Sequence, residues 1–376
     1  FKYWIILGMY NNINMIFHHP LPLNESSKSA SGIRPNRMLN AFRMLGCNVD
    51  LVTGFAAERK KCINKIKEDI KQGKRYDFVY SESSTMPTIL TEQHHFPFHP
   101  LIDWLFFEFC NKNDIPIGLF YRDIYWLFEN YDRELNFVKA AVAKCAYRFD
   151  LWVYRRTLTT LYIPSFEMGA YVPMIPSSIF QVLPPGHMLT DNNYKGMSDL
   201  SCKTLKLFYV GGMSKHYQMH KLFEAVREMP AIQLTICTRQ QEWQAVKYQY
   251  PELTPNIHII HLSGKDMETQ LCASDIALLF IEPYEYWDFA SPVKLYEYLG
   301  FHKPIIASEG TLSGKFVKDN GIGWTIPYDT QAIKELLTEL STDIAAHAAV
   351  HNQLRKVAPQ HSWQSRASQV IQDLVK

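Results

Sequence analysis

Apolar runs of strand length alternate with amphipathic patterns of helix length along nearly the whole chain, and such alternation builds parallel sheets from βαβ units. In the first half, strands are expected near 3–8, 48–53, 76–80, 115–121, 150–154 and 160–163, with helices near 34–45, 59–72 and 133–147. The polar stretch PPGHMLTDNNYKGMSD (184–199) interrupts the pattern as a linker does. The alternation restarts with LKLFYV (205–210) and continues at 231–237, 257–262, 275–281, 304–308 and 322–326. At 376 residues the chain exceeds what one core usually supports. Two α/β domains in tandem are expected, 1–185 and 203–360, joined by a linker at 186–202. The last segment, 361–376, reads as a helix with Trp363, Val370, Ile371 and Leu374 on one side, free to pack back on the first domain. Open α/β sheets take ligands beyond the carboxyl ends of their strands, so the functional question is what a cleft between two such edges would hold.

Composition removes several answers. A net charge of +2, with no long run of Lys and Arg, lacks the electrostatic footprint of a nucleic-acid binder. The seven cysteines are scattered, with no CxxC pair, which argues against a disulfide framework and a zinc site and fits a reducing, cytoplasmic setting. The apolar stretch YWIILGM after Lys2 is too short to span a bilayer and reads as a first strand, not a signal peptide.

The most specific motif is SPVKLYEYLGFHKPIIAS (291–308). Ser291 is a good N-cap and Pro292 suits the first helical position, so a helix is expected to start there with its amides and positive dipole end open to an anion. Lys294 and Glu297 are three apart and share a face. A cation beside a phosphate and a carboxylate accepting two hydroxyl hydrogen bonds together suit a nucleotide with its ribose. The alternative is a surface ion pair on a capped helix. A second segment points the same way. After LKLFYV, Gly211 and Gly212 allow close backbone approach to a ligand and Lys215 adds charge, although neither a dinucleotide fingerprint nor a Walker loop is present.

FYVGG (208–212), SDIALLFIEP (274–283), SPVKLYEYLGFHKPIIAS and GIGWTI (321–326) together resemble the second domain of GT-B glycosyltransferases, closest to family 4 type enzymes of bacterial capsular and exopolysaccharide synthesis. The resemblance covers about 205–330 well. It is looser in the first domain, where SGIRPNRMLNAFRMLGCNVDLVT (31–53) looks like the acceptor loop, helix and second strand. It implies a GT-B fold, two Rossmann-like domains facing a central cleft. It also implies a nucleotide-sugar donor, UDP- or GDP-linked, held by Glu297 at the ribose, by Gly211 and Gly212 at the diphosphate, and by Lys294 or Lys215 as the neutralising charge. Two departures stand out. The first acid of the family's paired-glutamate pattern would fall at 289, which is Phe289, with Glu282 and Asp288 out of register. The arginine that follows the glycines is replaced by Met213, and Arg239 is the candidate to supply its charge.

On the acceptor side, Asp123 in GLFYRDIYWLF ends an apolar strand and is the candidate base, with a helix N-cap or ion pair as the alternative. A base there makes inversion plausible, whereas the family resemblance points to retention. Arg122, Glu82, Ser31, Gly32 and Arg34 are further acceptor-side candidates; His18 and His19, after the first strand, either face the cleft or, as the simpler reading, lie in a surface loop. With no DxD motif, and with a helix end and lysines to replace it, transfer is expected to need no metal and no cofactor beyond the donor. The acceptor is expected to be a glycan or a polyprenyl-linked lipid. Aromatics in FPFHPLIDWLFFEF (96–109) and IYWLFENY (124–131) either pack a core or touch the inner face of the membrane. Two other readings share the architecture, a nucleotide-sugar epimerase and a catalytically retired sugar-binding or assembly subunit.

Overall fold

The computed structural model describes residues 10–24, 30–128, 136–188, 204–214 and 216–375. The chain forms two compact units, Phe1–Pro185 with Trp363–Lys376, and Gly186–Ser362.

The sheet of the first unit runs in the order β2-β1-β3-β4-β5-β6, from β1 (Asn14–His19), β2 (Asn48–Thr53), β3 (Phe78–Glu82), β4 (Ile117–Phe120), β5 (Thr160–Ile163) and β6 (Phe180–Val182). Every pairing is parallel, with His18 opposite Ser81 and Glu82 opposite Phe120 in register. The central strands are buried on both faces, as parallel sheets require. One face packs under helices Ala30–Met44 and Trp363–Leu374, which bury Met38 and Phe42 with Trp363, Val370, Ile371 and Leu374. The spacing of 363, 366, 367, 370, 371 and 374 is a helical stripe, and each large apolar member contributes about 1.5–3 kcal/mol relative to exposure. Gly118 makes room for that helix: a Cβ there would lie 2.8 Å from Leu374 and 2.7 Å from Tyr162.

Two expectations are corrected. Residues 150–154 form no strand; they belong to helix Phe137–Thr157, whose buried Ala143, Ala146, Tyr147, Asp150, Leu151 and Tyr154 recur at helical spacing. The apolar run there is long because one helix face is wholly covered. Strand β1 is NMIFHH, so His18 and His19 are buried strand residues and no surface loop. The strand expected at 3–8 lies outside the described residues, as does 189–202 of the expected linker.

The sheet of the second unit has the order β12-β11-β10-β7-β8-β9, from β7 (Leu205–Val210), β8 (Ile232–Cys237), β9 (Ile257–Ile260), β10 (Ile276–Leu279), β11 (Ile305–Ser308) and β12 (Gly323–Ile326). This is the doubly wound Rossmann order, with its topological switch between β7 and β10. The loop after β7 carries Gly211 and Gly212, and the segment after β10 leads into helix Val293–Gly300. Both segments singled out in the sequence thus flank one switch point.

Candidate functional site

In the second unit, Lys294 donates to the Tyr209 hydroxyl at 2.7 Å, and Tyr209 donates to the Gly212 carbonyl at 2.7 Å. The Lys294 ammonium also lies 4.3 Å and 4.2 Å from the centroids of the Tyr209 and Tyr217 rings. Gly211 has φ +150°, and a Cβ on it would sit 2.7 Å from Lys294 Nζ. Only glycine satisfies both the backbone and the approach of the ammonium. Burial pushes Lys294 down to about 7, against the pull of Glu297 and Glu242. Its charge near neutral pH would therefore respond to an anion placed beside it.

Helix Val293–Gly300 differs from expectation at its start. Pro292 is the N-cap, no side chain of the described residues caps it, and Ser291 Oγ instead pairs with the Tyr296 hydroxyl at 3.2 Å. A proline N-cap offers no side-chain acceptor, which leaves the helix end to other partners. The buried Tyr298 accepts the Val210 amide at 3.0 Å, fixing this helix against the end of β7. Glu297 lies one turn after Lys294, half-buried.

Arg239 is the N-cap residue of the short helix Gln240–Val246. It is largely exposed and donates to Glu242 Oε1 at 3.1 Å, while Glu242 Oε2 accepts the Met213 amide at 2.9 Å. A Cβ on Gly212 would lie 2.9 Å from that carboxylate oxygen. Glu242, Tyr209, Tyr217 and Tyr298 were not singled out by the sequence, because a tyrosine in a strand, a loop or a helix and a glutamate in a short helix carry no motif by themselves. Lys215 lies outside the described residues. Phe289 is buried against Tyr286, so the position where the resemblance would put an acid is a packed aromatic. A wall of rings follows β10: Tyr284 stacks on His216, and Trp287 meets Tyr217 edge-on and donates to the His216 carbonyl at 2.9 Å.

In the first unit, the carboxyl edge of the sheet centres on Glu82, the fully buried last residue of β3. Its Oε1 accepts Arg34 Nε at 3.0 Å and the Tyr80 hydroxyl at 2.7 Å, and its Oε2 accepts Arg122 Nη2 at 3.2 Å. Three sequence candidates, Arg34, Glu82 and Arg122, thus meet. Ser31 and Gly32 lie in the first turn of helix Ala30–Met44, not in a loop, because the helix begins ahead of Pro35. Asp123 accepts the Tyr125 amide at 2.9 Å and so caps the short turn Tyr125–Leu127. Burial raises its pKa from the ordinary carboxylate value, against the Tyr125 and Ile124 amides and Arg122.

A second buried network lies on the other face. His18 pairs with Ser81 Oγ at 2.7 Å and Asp103 at 3.0 Å, and Asp103 receives Arg59 through two bonds of 2.9 Å. Burial alone would raise Asp103, but Arg59 and His18 hold it at about 2. His19 donates Nδ1–H to the Glu82 carbonyl at 2.8 Å and is pushed down to about 3 by burial. Asp150, lining a small cavity with His18 and Asp103, is pushed up to about 7 by burial.

No protein-family model matches the chain, and no curated protein matches it in sequence. Solved structures do. HepE from Anabaena in complex with UDP is 12% identical over 96% of this chain and 99% of that one, with a TM-score of 0.62. A glycosyltransferase from Rickettsia africae is 12% identical over 96% of this chain and 97% of its own, also at 0.62. WaaG, a glycosyltransferase of lipopolysaccharide biosynthesis, is 14% identical over 96% and 99%, at 0.56. The two Rossmann-like units are those of the GT-B fold.

Proposed function

We propose that the chain is a glycosyltransferase that moves a sugar from a nucleotide diphosphate donor, UDP- or GDP-linked, to a glycan or lipid-linked acceptor in surface polysaccharide synthesis. The observation that carries this reading is the Lys294 ammonium seated against Gly211 at the switch point of the second sheet, one turn before Glu297. A cation, a helix start without a side-chain cap and a glycine loop that lets a ligand approach closely lie together there, a set suited to stabilising a departing diphosphate. HepE is similar in fold and has been crystallised with UDP and with UDP-glucose, which supports a uridine nucleotide as the first donor to try.

In this reading Glu297 accepts the ribose hydroxyls, Lys294 and the loop Gly211–Gly212 meet the diphosphate, and the fixed charges replace a divalent metal. Asp123 is the base in the first unit, where burial raises its pKa and so makes its carboxylate a stronger proton acceptor. The protein works in the cytoplasm. Peripheral contact with an anionic membrane face is part of the proposal, supported by Phe96 and Phe98, 67% and 68% exposed, and by exposed Phe137, Val138 and Val142 beside Lys139 and Arg148. Among the described residues no helix is long and apolar enough to cross a membrane.

One observation favours a second reading, a retired transferase kept for binding: the buried Phe289 where an acid would be expected. Incubation with a panel of UDP- and GDP-sugars, followed by nucleotide release and product mass with and without EDTA, separates the two. Release and a new glycosidic bond that persist in EDTA support the enzyme. Nucleotide binding without release from any donor supports the retired subunit.

A further inference from the structure

Two arginines of the first unit are almost equally buried, and they are used differently. Arg59, 2% exposed, spends its whole fork: Nε and Nη2 on Asp103, Nη1 on the Pro20 and Gly54 carbonyls. That is a structural arginine. Arg34, 3% exposed, places Nε on Glu82, beside the Tyr80 hydroxyl that shares the same carboxylate oxygen. Its Nη1 and Nη2 are shut from solvent without a hydrogen-bond partner among the described residues. Leaving a buried, charged donor fork unmet is costly, so such a fork marks a missing oxygen ligand.

The surroundings identify the ligand class. Arg34 stacks on Phe120, 3.4 Å from the ring centroid, and the Arg122 guanidinium lies 5.9 Å from the same centroid. Both arginines pair with Glu82, so two positive charges meet one negative and a single positive charge is left over. Glu82 and Phe120 are the last residues of β3 and β4, at the sheet edge where open α/β sheets receive ligands. A planar guanidinium fork matches two oxygens of one phosphate or carboxylate.

We propose that the open fork of Arg34, with Arg122 beside it, binds a phosphate or carboxylate group carried by the acceptor sugar. The inference rests on the glycosyltransferase reading for the word acceptor, and on the geometry of the first unit alone for the oxyanion. Glu82 is then a positioning residue, holding both guanidiniums and cancelling one of their charges.

Calorimetric titration with glucose 6-phosphate, glucuronate, glucose and inorganic phosphate tests it on the full chain, in wild type and in the Arg34→Lys, Arg122→Gln and Lys294→Met variants. Arg34→Lys keeps the charge and loses the fork, and Arg122→Gln serves if melting curves show that Arg34→Lys does not fold. The expected result is binding of the two anionic sugars but not glucose, unchanged in Lys294→Met and weakened about tenfold or more in either arginine variant, the loss expected of a buried charged hydrogen bond. Unchanged binding in the folded arginine variants, or loss in Lys294→Met alone, would place the anion in the nucleotide site and overturn the inference. Inorganic phosphate binding as tightly as glucose 6-phosphate would mean a bare-anion site and overturn the acceptor assignment. UDP titrated into the same samples reports separately on the donor reading.

Discussion

The Lys294 ammonium and Gly211 occupy one another's space: the position a Cβ would take on Gly211 is 2.7 Å from Lys294 Nζ. Adding that one carbon forces the ammonium off Tyr209 and strains a backbone with φ +150°. Gly211→Ala is therefore predicted to cost about 1–3 kcal/mol of stability and to weaken nucleotide binding at least about tenfold. Urea melts and calorimetry check it. A variant that melts and binds like wild type would show that the loop does not seat the ammonium.

The pH dependence of nucleotide binding follows from the same lysine. Lys294 in the free protein has a pKa of about 7, and a bound diphosphate raises it, so binding takes up a proton between pH 7 and the bound value. UDP affinity is predicted to be greatest below pH 7 and to fall as pH rises to 9. Lys294→Met should bind weakly with a flat profile over that range. Equal slopes in both proteins would remove Lys294 from the site.

Asp123→Asn leaves the bond to the Tyr125 amide available, since an amide oxygen also accepts, but removes the proposed base. The transfer rate is predicted to fall about 10²- to 10⁴-fold with little change in donor KM and in melting temperature. An equal loss of rate and stability would mean that Asp123 is a capping residue only.

Arg59→Met strips Asp103 of its bidentate partner and leaves a buried carboxylate. The expected cost is about 3–5 kcal/mol in urea denaturation. Acid acts on the same network. With a folded pKa of about 2 against 3.8 unfolded, Asp103 contributes stability that is present above pH 3.8 and lost as pH falls toward 2. Wild-type stability that stays level across that window would contradict the ion-pair assignment.

Much of the fold was legible because parallel sheets write their strands as apolar runs. LKLFYV and PIIAS stand out for that reason, and Trp363, Val370, Ile371 and Leu374 for their helical stripe. The same rule misread 150–154, where a helix covered on one face carries as many apolar residues as a strand. Lys294 and the glycine pair were legible as a pattern. Their real partners, Tyr209 and Tyr217, were not, since which side chain a lysine or a glycine loop meets depends on how the loops cross the strand end. Arg34, Glu82 and Arg122 could each be singled out from strand ends and a helix start. Their convergence is a tertiary fact, set by the parallel register that lays Glu82 beside Phe120. Ser291 misled because its helix starts at Pro292, whose ring leaves the serine to pair with Tyr296.

The central claim is that the second unit holds a nucleotide by its ribose and diphosphate. Calorimetric titration of UDP, GDP, CDP and ADP into wild type and Glu297→Ala, first without and then with magnesium, tests it most directly. The account predicts that one uridine or guanosine nucleotide binds without metal and that Glu297→Ala weakens it about tenfold or more, the value of hydrogen bonds to a charged group. Binding of none of the four, or equal binding by Glu297→Ala, would contradict it and leave the segment from Ser291 to Ser308 as a helix and strand of the core.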